Sequence, residues 1–146
     1  MKLDEVDEKI LGILRKNART PISHISEEIG LSNPSIKDRL DKLEAEGVIL
    51  GYRPILDQRK LGLGLTAFVS ISLDPNRCCD DDIVESLERL PEVLEAHFTD
   101  GDSDVLVKVA TRDTESLKDT LNRIREIDGV FNTRTIVSLT NPIREC

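Results

Sequence analysis

The chain contains no long hydrophobic run, and this absence excludes an integral membrane protein. No stretch of about 18 consecutive apolar residues occurs, so the sequence predicts no membrane-spanning helix. The opening segment, MKLDEVDEKI, is charged and lacks the apolar centre of a signal peptide. We therefore expect a cytoplasmic protein.

Cysteine and histidine are also scarce, which argues against a disulfide scaffold, a metal site or a catalytic centre. Two of the three cysteines, Cys78 and Cys79, are adjacent, and Cys146 is the last residue. An odd count with this spacing predicts incidental surface thiols, no disulfide framework and no metal ligands. Neither His24 nor His97 has a nucleophile or second base patterned with it. We predict that the protein is not an enzyme and has no cofactor. His97 is interpreted as an ordinary strand residue, and the less favoured alternative is that it lines an effector cleft.

The charge is distributed unevenly along the chain. The net charge is −8, but residues 1–53 carry nine Lys and Arg against ten Asp and Glu. The acidic surplus therefore belongs to the second part. Because DNA affinity comes from cations that neutralise phosphates, we expect weak non-specific binding from one copy rather than none.

Two short amphipathic helices are predicted at the start of the chain. The first runs from about Asp4 to Asn17, with carboxylates in its first turns, where the helix dipole favours them. Thr20 and Pro21 give a cap-plus-proline start signal for the second helix, and Gly30 ends it. A tight turn after Gly30 leads into a third helix, which is the layout of a helix-turn-helix.

The third helix is the most informative segment. We expect Asn33 to cap it, Pro34 to occupy its first position, and Gly47 to end it. Its apolar stripe consists of Ile36, Leu40 and Leu43. The remaining positions give it a polar and basic outer face, typical of a helix that reads DNA in the major groove.

We predict seven DNA-contacting residues: Asn33, Ser35, Lys37, Asp38, Arg39, Lys42 and Arg53. The first four are placed to meet base edges or nearby phosphates, because the N-terminal residues of a recognition helix enter the groove. Lys42 and Arg53 are assigned to phosphates. Arg39 stays open between DNA contact and pairing with an acid, such as Glu46 or one near Asp38.

An apolar segment over Val48–Tyr52 predicts a strand, which Pro54 restricts to a sheet edge. A hairpin there would be a wing beside the third helix. The polar and glycine-rich stretch Asp57–Gly64 marks a domain boundary. We divide the chain into a first domain over 1–53, a linker over 54–64 and a second domain over 65–146.

The second domain alternates strand and helix patterns in the order β-α-β-β-α-β. This order predicts a ferredoxin-like antiparallel sheet with helices on one face, giving an α+β protein. The last strand, over about Val130–Leu139, has apolar residues on both faces. We therefore expect the uncovered sheet face to be buried against a second copy in a homodimer. A higher assembly stays open as an alternative.

The combination of these two domains resembles the Lrp/AsnC family of feast/famine transcription regulators. The resemblance rests on an opening LD-x-x-D-x-x-I, on Asn17-Ala18-Arg19, and on the chained signature LS-x6-R-x3-LE-x2-GVI-x-GY between Leu31 and Tyr52. A GDSD turn over Gly101–Asp104 is similar to the family's GDYD turn, with Ser103 where an aromatic residue is usual. The match covers nearly the whole chain.

The resemblance implies a winged helix-turn-helix followed by a RAM-type domain for oligomerisation and effector binding. It implies a dimer or octamer and a small effector, usually an amino acid, bound between subunits. By position, the effector residues are Asp100, Gly101, Asp102, Asp104, Thr133 and Thr135. From the residues alone the turn reads as an ordinary acidic hairpin turn, since such turns are common, and Thr133 and Thr135 read equally well as ordinary strand residues. Metal binding by the turn stays open as an alternative, without a full ligand set.

We therefore interpret the chain as a sequence-specific regulator that binds double-stranded DNA under the control of a small effector. Two alternatives remain. One is a partner subunit of a hetero-oligomer that no longer reads DNA. The other is an enzyme similar to siroheme decarboxylases. Two histidines and an acidic second domain supply few of the basic and histidine side chains that would hold the carboxylates of a porphyrin.

Overall fold

The computed structural model describes residues 2–76 and 80–143, and the chain divides into two compact units between Ile55 and Leu56. The first unit contains three helices: α1 (Glu5–Lys16), α2 (Ile22–Ile29) and α3 (Asn33–Ala45). Its core is formed by four fully buried side chains: Ile10, Ile25, Ile36 and Leu43. Gly30 ends α2 at φ 82°, a left-handed conformation that favours glycine, and so turns the chain into α3. The predicted helix-turn-helix is confirmed.

Both proline-marked helix starts differ from the prediction by one residue. The N-cap of α3 is Ser32, whose hydroxyl accepts a hydrogen bond from the Ser35 amide, and Asn33 is already helical. Pro34 therefore stands at the second helical position, which costs nothing because the first four amides of a helix have no intrahelical acceptor. In α2, Pro21 is itself the N-cap and no side chain caps the helix. The predicted cap Asn33 and the predicted start at Thr20 are wrong.

The predicted wing strand over Val48–Tyr52 is also wrong, since this segment contains no strand. The amides of Val48 and Ile49 both donate to the carbonyl of Leu43, at 2.9 and 3.0 Å, which closes the C-terminus of α3. Gly47 allows this closure because its φ is 70°. The amides that would have started a ladder are thus used by the helix.

The second unit has the predicted β-α-β-β-α-β order. Its elements are β1 (Leu65–Leu73), α4 (Asp80–Glu88), β2 (Val93–Phe98), β3 (Val105–Thr111), α5 (Thr114–Arg125) and β4 (Val130–Ser138). The strands form one antiparallel sheet in the order β2-β3-β1-β4. The ferredoxin-like α+β prediction is confirmed.

The two faces of this sheet differ in burial. The helix-covered face contributes side chains to a buried core that includes Ala67, Val69 and Ile71 of β1. The opposite face, which we call the outer face, carries Phe68 of β1 directly across from Ile136 of β4. Ile136 is 61% exposed, so apolar side chains lie uncovered there. None of the helices in residues 2–76 and 80–143 combines the length and the apolar character that a membrane span requires.

Candidate nucleic-acid interface and effector region

The exposed face of α3 is polar, and its charges balance. The predicted base-contacting residues Asn33, Ser35, Lys37 and Asp38 are all exposed on this helix. However, α3 carries three cations and three carboxylates. Lys37 is paired with Asp41 through an Nζ–Oδ2 distance of 2.5 Å, and this hydrogen bond raises the pKa of Lys37. The expected basic outer face is therefore a neutral one, because (i, i+4) pairing offsets its charge.

The two predicted phosphate-binding cations remain available. Lys42 and Arg53 are exposed, and neither forms an ion pair with another residue in the described part of the chain. An unpaired cation can bind a phosphate without first giving up a carboxylate partner. Lys42 is thus the cation on α3 that is free to act in this way.

Arg39 is engaged within the protein. Its Nη1 atom donates to Asp4 Oδ2 and to Asp7 Oδ1, both at 2.7 Å, which joins the middle of α3 to the start of α1. The Arg39 side chain is 32% exposed, whereas that of Asp7 is only 6% exposed. These hydrogen bonds raise the pKa of Arg39. Of the two readings left open by the sequence, the structure shows pairing with acids, though with Asp4 and Asp7 rather than Glu46.

A surface groove of about 490 Å³ runs beside this ion-pair cluster. It is lined by residues at or just before the start of α1, by one residue of the turn before α3, and by α3 itself: Lys2, Asp4, Asp7, Leu31, Ser35, Asp38, Arg39 and Lys42. Two of the predicted base-contacting side chains therefore border the same groove as Lys42. The groove mixes both signs of charge, so it is a polar surface rather than a simple anion site.

The acidic turn between β2 and β3 contains one structural carboxylate and two exposed ones. The Asp104 carboxylate accepts a hydrogen bond from the Leu73 amide at 2.7 Å, and the Asp104 amide donates to the Ile71 carbonyl at 2.9 Å. Asp104 thus fixes the turn to the end of β1. Asp100 and Asp102 are exposed, as is Gly101 between them.

The two predicted effector threonines lie on β4, on the helix-covered face. Thr133 is paired with Ile71 and Thr135 with Val69, and both threonines are half-buried. Because Asp104 is anchored at Ile71 as well, the turn and Thr133 lie at the same end of the sheet on opposite sides of β1. Within one chain, the acidic turn and Thr133 are therefore at one end of the sheet but are separated by β1.

Arg125 is a neighbour of this region that the sequence did not indicate. Its Nε atom donates to Thr133 Oγ1 at 3.0 Å. A cation in the last turn of a helix is ordinary, since it complements the helix dipole, so the pattern of α5 gave no reason to single it out. Only the packing of α5 against β4 reveals the contact.

His97 lies on the outer face in a small charged group. The Glu95 carboxylate is 3.5 Å from His97 Nε2 and 3.3 Å from Lys108 Nζ. Partial burial opposes ionisation of Glu95, but the hydrogen bonds from Lys108 and His97 outweigh it and lower its pKa. No group of three potential metal ligands occurs in the described ranges, and the predicted surface thiols at Cys78, Cys79 and Cys146 lie outside them.

Both units match known proteins. Residues 3–49 match a family profile described as a winged helix-turn-helix DNA-binding domain, and residues 66–146 match that of the Lrp/AsnC ligand binding domain. The chain is 35% identical over 142 residues to the regulatory protein AsnC of Haemophilus influenzae, covering 97% of this chain and 94% of that protein. It is 34% identical over 137 residues to the transcriptional regulator FL11 of Pyrococcus horikoshii, covering 94% and 89%.

Solved structures agree with these matches. A transcriptional regulator of Neisseria meningitidis, determined in complex with L-Met, has a TM-score of 0.90 and 28% identity, covering 99% of this chain and 94% of that chain. The AsnC structure from Escherichia coli has a TM-score of 0.86 and 31% identity, covering 100% and 98%. The likeness therefore extends over both units.

Proposed function

Because the chain belongs to the Lrp/AsnC family of DNA-binding transcription regulators, we propose that it reads specific duplex sites through α3 and that an amino acid bound to its second unit modulates this reading. The observation that carries the proposal is the joining of the two units. A helix-turn-helix with an exposed polar third helix precedes a unit that matches a ligand-binding domain.

In the first unit, we assign base contacts to the N-terminal half of α3. Asn33, Ser35, Lys37 and Asp38 are the candidates, since hydrogen bonds from such side chains distinguish base pairs in the major groove. Lys42 and Arg53 hold phosphates and so fix the position of the helix. A neutral reader helix gives little non-specific affinity, which favours specific contacts over general attraction.

Two linked readers supply the affinity that one neutral helix lacks. We propose that two copies associate through their outer faces, where Phe68 and Ile136 are adjacent and exposed apolar surface would be covered. Two readers on one dimer bind with a high effective concentration for the second half-site. Such a dimer has two-fold symmetry and recognises a roughly palindromic site.

In the second unit, we assign effector binding to the turn and to β4. The exposed Asp100 and Asp102 carboxylates suit an α-amino group, and the hydroxyls of Thr133 and Thr135 suit polar atoms of the ligand. Asp104 holds the turn in place for them. The L-Met complex of the Neisseria relative supports an amino acid as the ligand class. Ser103 offers no aromatic surface, so we expect a preference different from that of relatives with a ring there.

The test is a nuclease footprint of the full-length protein on the DNA upstream of its own gene, with and without a pool of amino acids. We expect regularly spaced protection that the pool changes. A variant carrying Asn33→Ala and Ser35→Ala, which alters only exposed side chains, is expected to remain an oligomer and to lose the protection. No protection by micromolar wild-type oligomer at moderate salt would contradict DNA reading there and favour the partner-subunit alternative.

A further inference from the structure

Arg39 binds both residues of the capping box that starts α1. The Asp4 carboxylate caps the helix through Oδ1, which accepts from the Val6 and Asp7 amides at 2.9 and 2.8 Å. The Asp7 carboxylate completes the capping box with Oδ2, which accepts a hydrogen bond from the Asp4 amide at 3.1 Å. One oxygen of each carboxylate remains, and both remaining oxygens accept from Arg39 Nη1. All four oxygens are thus used in one closed network.

The position of Arg39 on α3 directs it toward α1. It lies three residues after Ile36 and four before Leu43, and both of these side chains are fully buried against the other helices. Residues three and four apart share a side of a helix, so Arg39 lies on the flank of the buried face. Ser35 and Lys42, which are exposed, follow it around the helix toward the outer side.

We propose that Arg39 is a positioning residue of the DNA reader: it fixes the rotation of α3 against α1 and does not itself contact DNA. This inference depends on the proposed function, because it assigns a role within DNA reading. It reassigns a side chain that the sequence had placed among the DNA contacts.

The core of this unit is aliphatic, so its packing supplies no directional contact. Four fully buried aliphatic side chains, with partly buried hydrophobic side chains packed around them, hold the three helices together, and aliphatic packing is non-directional. Two charge-assisted hydrogen bonds to a buried carboxylate and a capping carboxylate are directional. They determine which residues of α3 point outward, and base recognition depends on placing those side chains to within about half an ångström.

The experiment compares binding of full-length variants to a selected specific duplex and to an unrelated duplex over a range of salt concentrations. The variants are Arg39→Met, Arg39→Lys, Asp7→Asn and the Arg39→Met/Asp7→Asn double variant. Lys42→Met is the matched control, because Lys42 is a cation on the same helix that forms an ion pair with none of the described residues. Asp4→Asn is the mild variant, since asparagine caps a helix as well as aspartate does but cannot accept from Arg39 with its amide nitrogen.

If Arg39 positions α3, Arg39→Met lowers specific affinity by at least about tenfold and leaves the salt slope unchanged. Asp7→Asn lowers specific affinity by a similar factor, and the double variant binds no more weakly than the weaker-binding single variant. Arg39→Lys binds little better than Arg39→Met, because lysine lacks the planar guanidinium. Asp4→Asn gives a smaller loss with the fold intact. Lys42→Met instead weakens both duplexes and lowers the slope by about 0.9 per subunit.

The opposite pattern overturns the inference. If Arg39→Met lowers the salt slope by about 0.9 per subunit as Lys42→Met does, Arg39→Lys restores binding, and Asp4→Asn changes nothing, then Arg39 is a phosphate contact. Should Arg39→Met fail to fold, the Asp4→Asn and Asp7→Asn variants decide the question alone. A wild-type protein with no preference for any duplex contradicts the proposed function itself, and the two failures are distinguished in this way.

Discussion

Replacing Ile136 by alanine tests whether the outer face joins two copies. Ile136 is 61% exposed in the single chain and lies across from Phe68 at the sheet's uncovered face. Full burial of an isoleucine side chain contributes about 1.5–3 kcal/mol, so covering its exposed part beyond what alanine provides contributes about 1–1.5 kcal/mol. A two-fold interface contains this side chain twice, which gives about 2–3 kcal/mol per dimer.

This loss corresponds to a dimer dissociation constant raised by about 30–140-fold. Sedimentation velocity over a range of protein concentrations measures the shift directly. Val137→Ala is the matched control, because Val137 is the next residue of β4, is 44% exposed and lies on the helix-covered side. We expect it to move the dissociation constant by less than about threefold. An Ile136→Ala protein that dimerises as well as wild type would refute association through the outer face.

Three further outcomes are expected. The pKa of Asp4 lies below its usual 3.8, chiefly because its carboxylate accepts from the Asp7 amide and then because it pairs with Arg39. The contribution of Asp4 to stability is therefore present above pH 3.8 and disappears as the pH falls through the folded-state pKa. Thermal unfolding should therefore separate Asp4→Asn from wild type at pH 6 but not near pH 2, and a constant difference would contradict this. Lys42→Met should weaken binding to an unrelated duplex more than Lys37→Met does, since Lys37 is already paired with Asp41. Equal losses on that duplex by fluorescence anisotropy would count against this. Asp104→Ala removes the carboxylate that accepts an exposed hydrogen bond from the Leu73 amide. It should destabilise the second unit by about 0.5–1.5 kcal/mol in urea unfolding and weaken amino-acid binding in calorimetry. Unchanged unfolding would show that the turn does not depend on this carboxylate.

The order of elements could be predicted from the sequence because it depends on local periodicity. Apolar spacing of three to four residues gave the helices, and alternation in segments such as Ala67–Leu73 gave the strands. The ferredoxin-like order then followed from their succession. Glycines with positive φ, such as Gly30 and Gly47, ended the helices where expected because few other residues adopt that conformation.

The errors arose where a second interaction competed with the local signal. The segment after α3 has strand-forming residues, but the amides of Val48 and Ile49 complete the helix end instead. Proline fits the second helical position as well as the first, so Pro34 did not locate the cap to one residue.

The charges of α3 show the same limit at the candidate site. Pairing of Lys37 with Asp41 at (i, i+4) was readable from the sequence and reduces the expected basic face. The contacts of Arg39 with Asp4 and Asp7 join residues 35 and 32 positions apart, and only the packing of α3 on α1 brings them together. Long-range pairing of this kind leaves no periodic signal in a single sequence.

The most direct test of DNA reading is selection from a pool of random duplexes by the full-length protein, followed by sequencing of the bound fraction. The two-fold reader proposed here should enrich a roughly palindromic motif whose half-site centres are separated by about 10–10.5 base pairs or a multiple of this spacing. The Asn33→Ala/Ser35→Ala variant should lose the motif while it retains its oligomeric state. A wild-type oligomer that enriches no motif over the input pool would contradict sequence-specific reading by this chain.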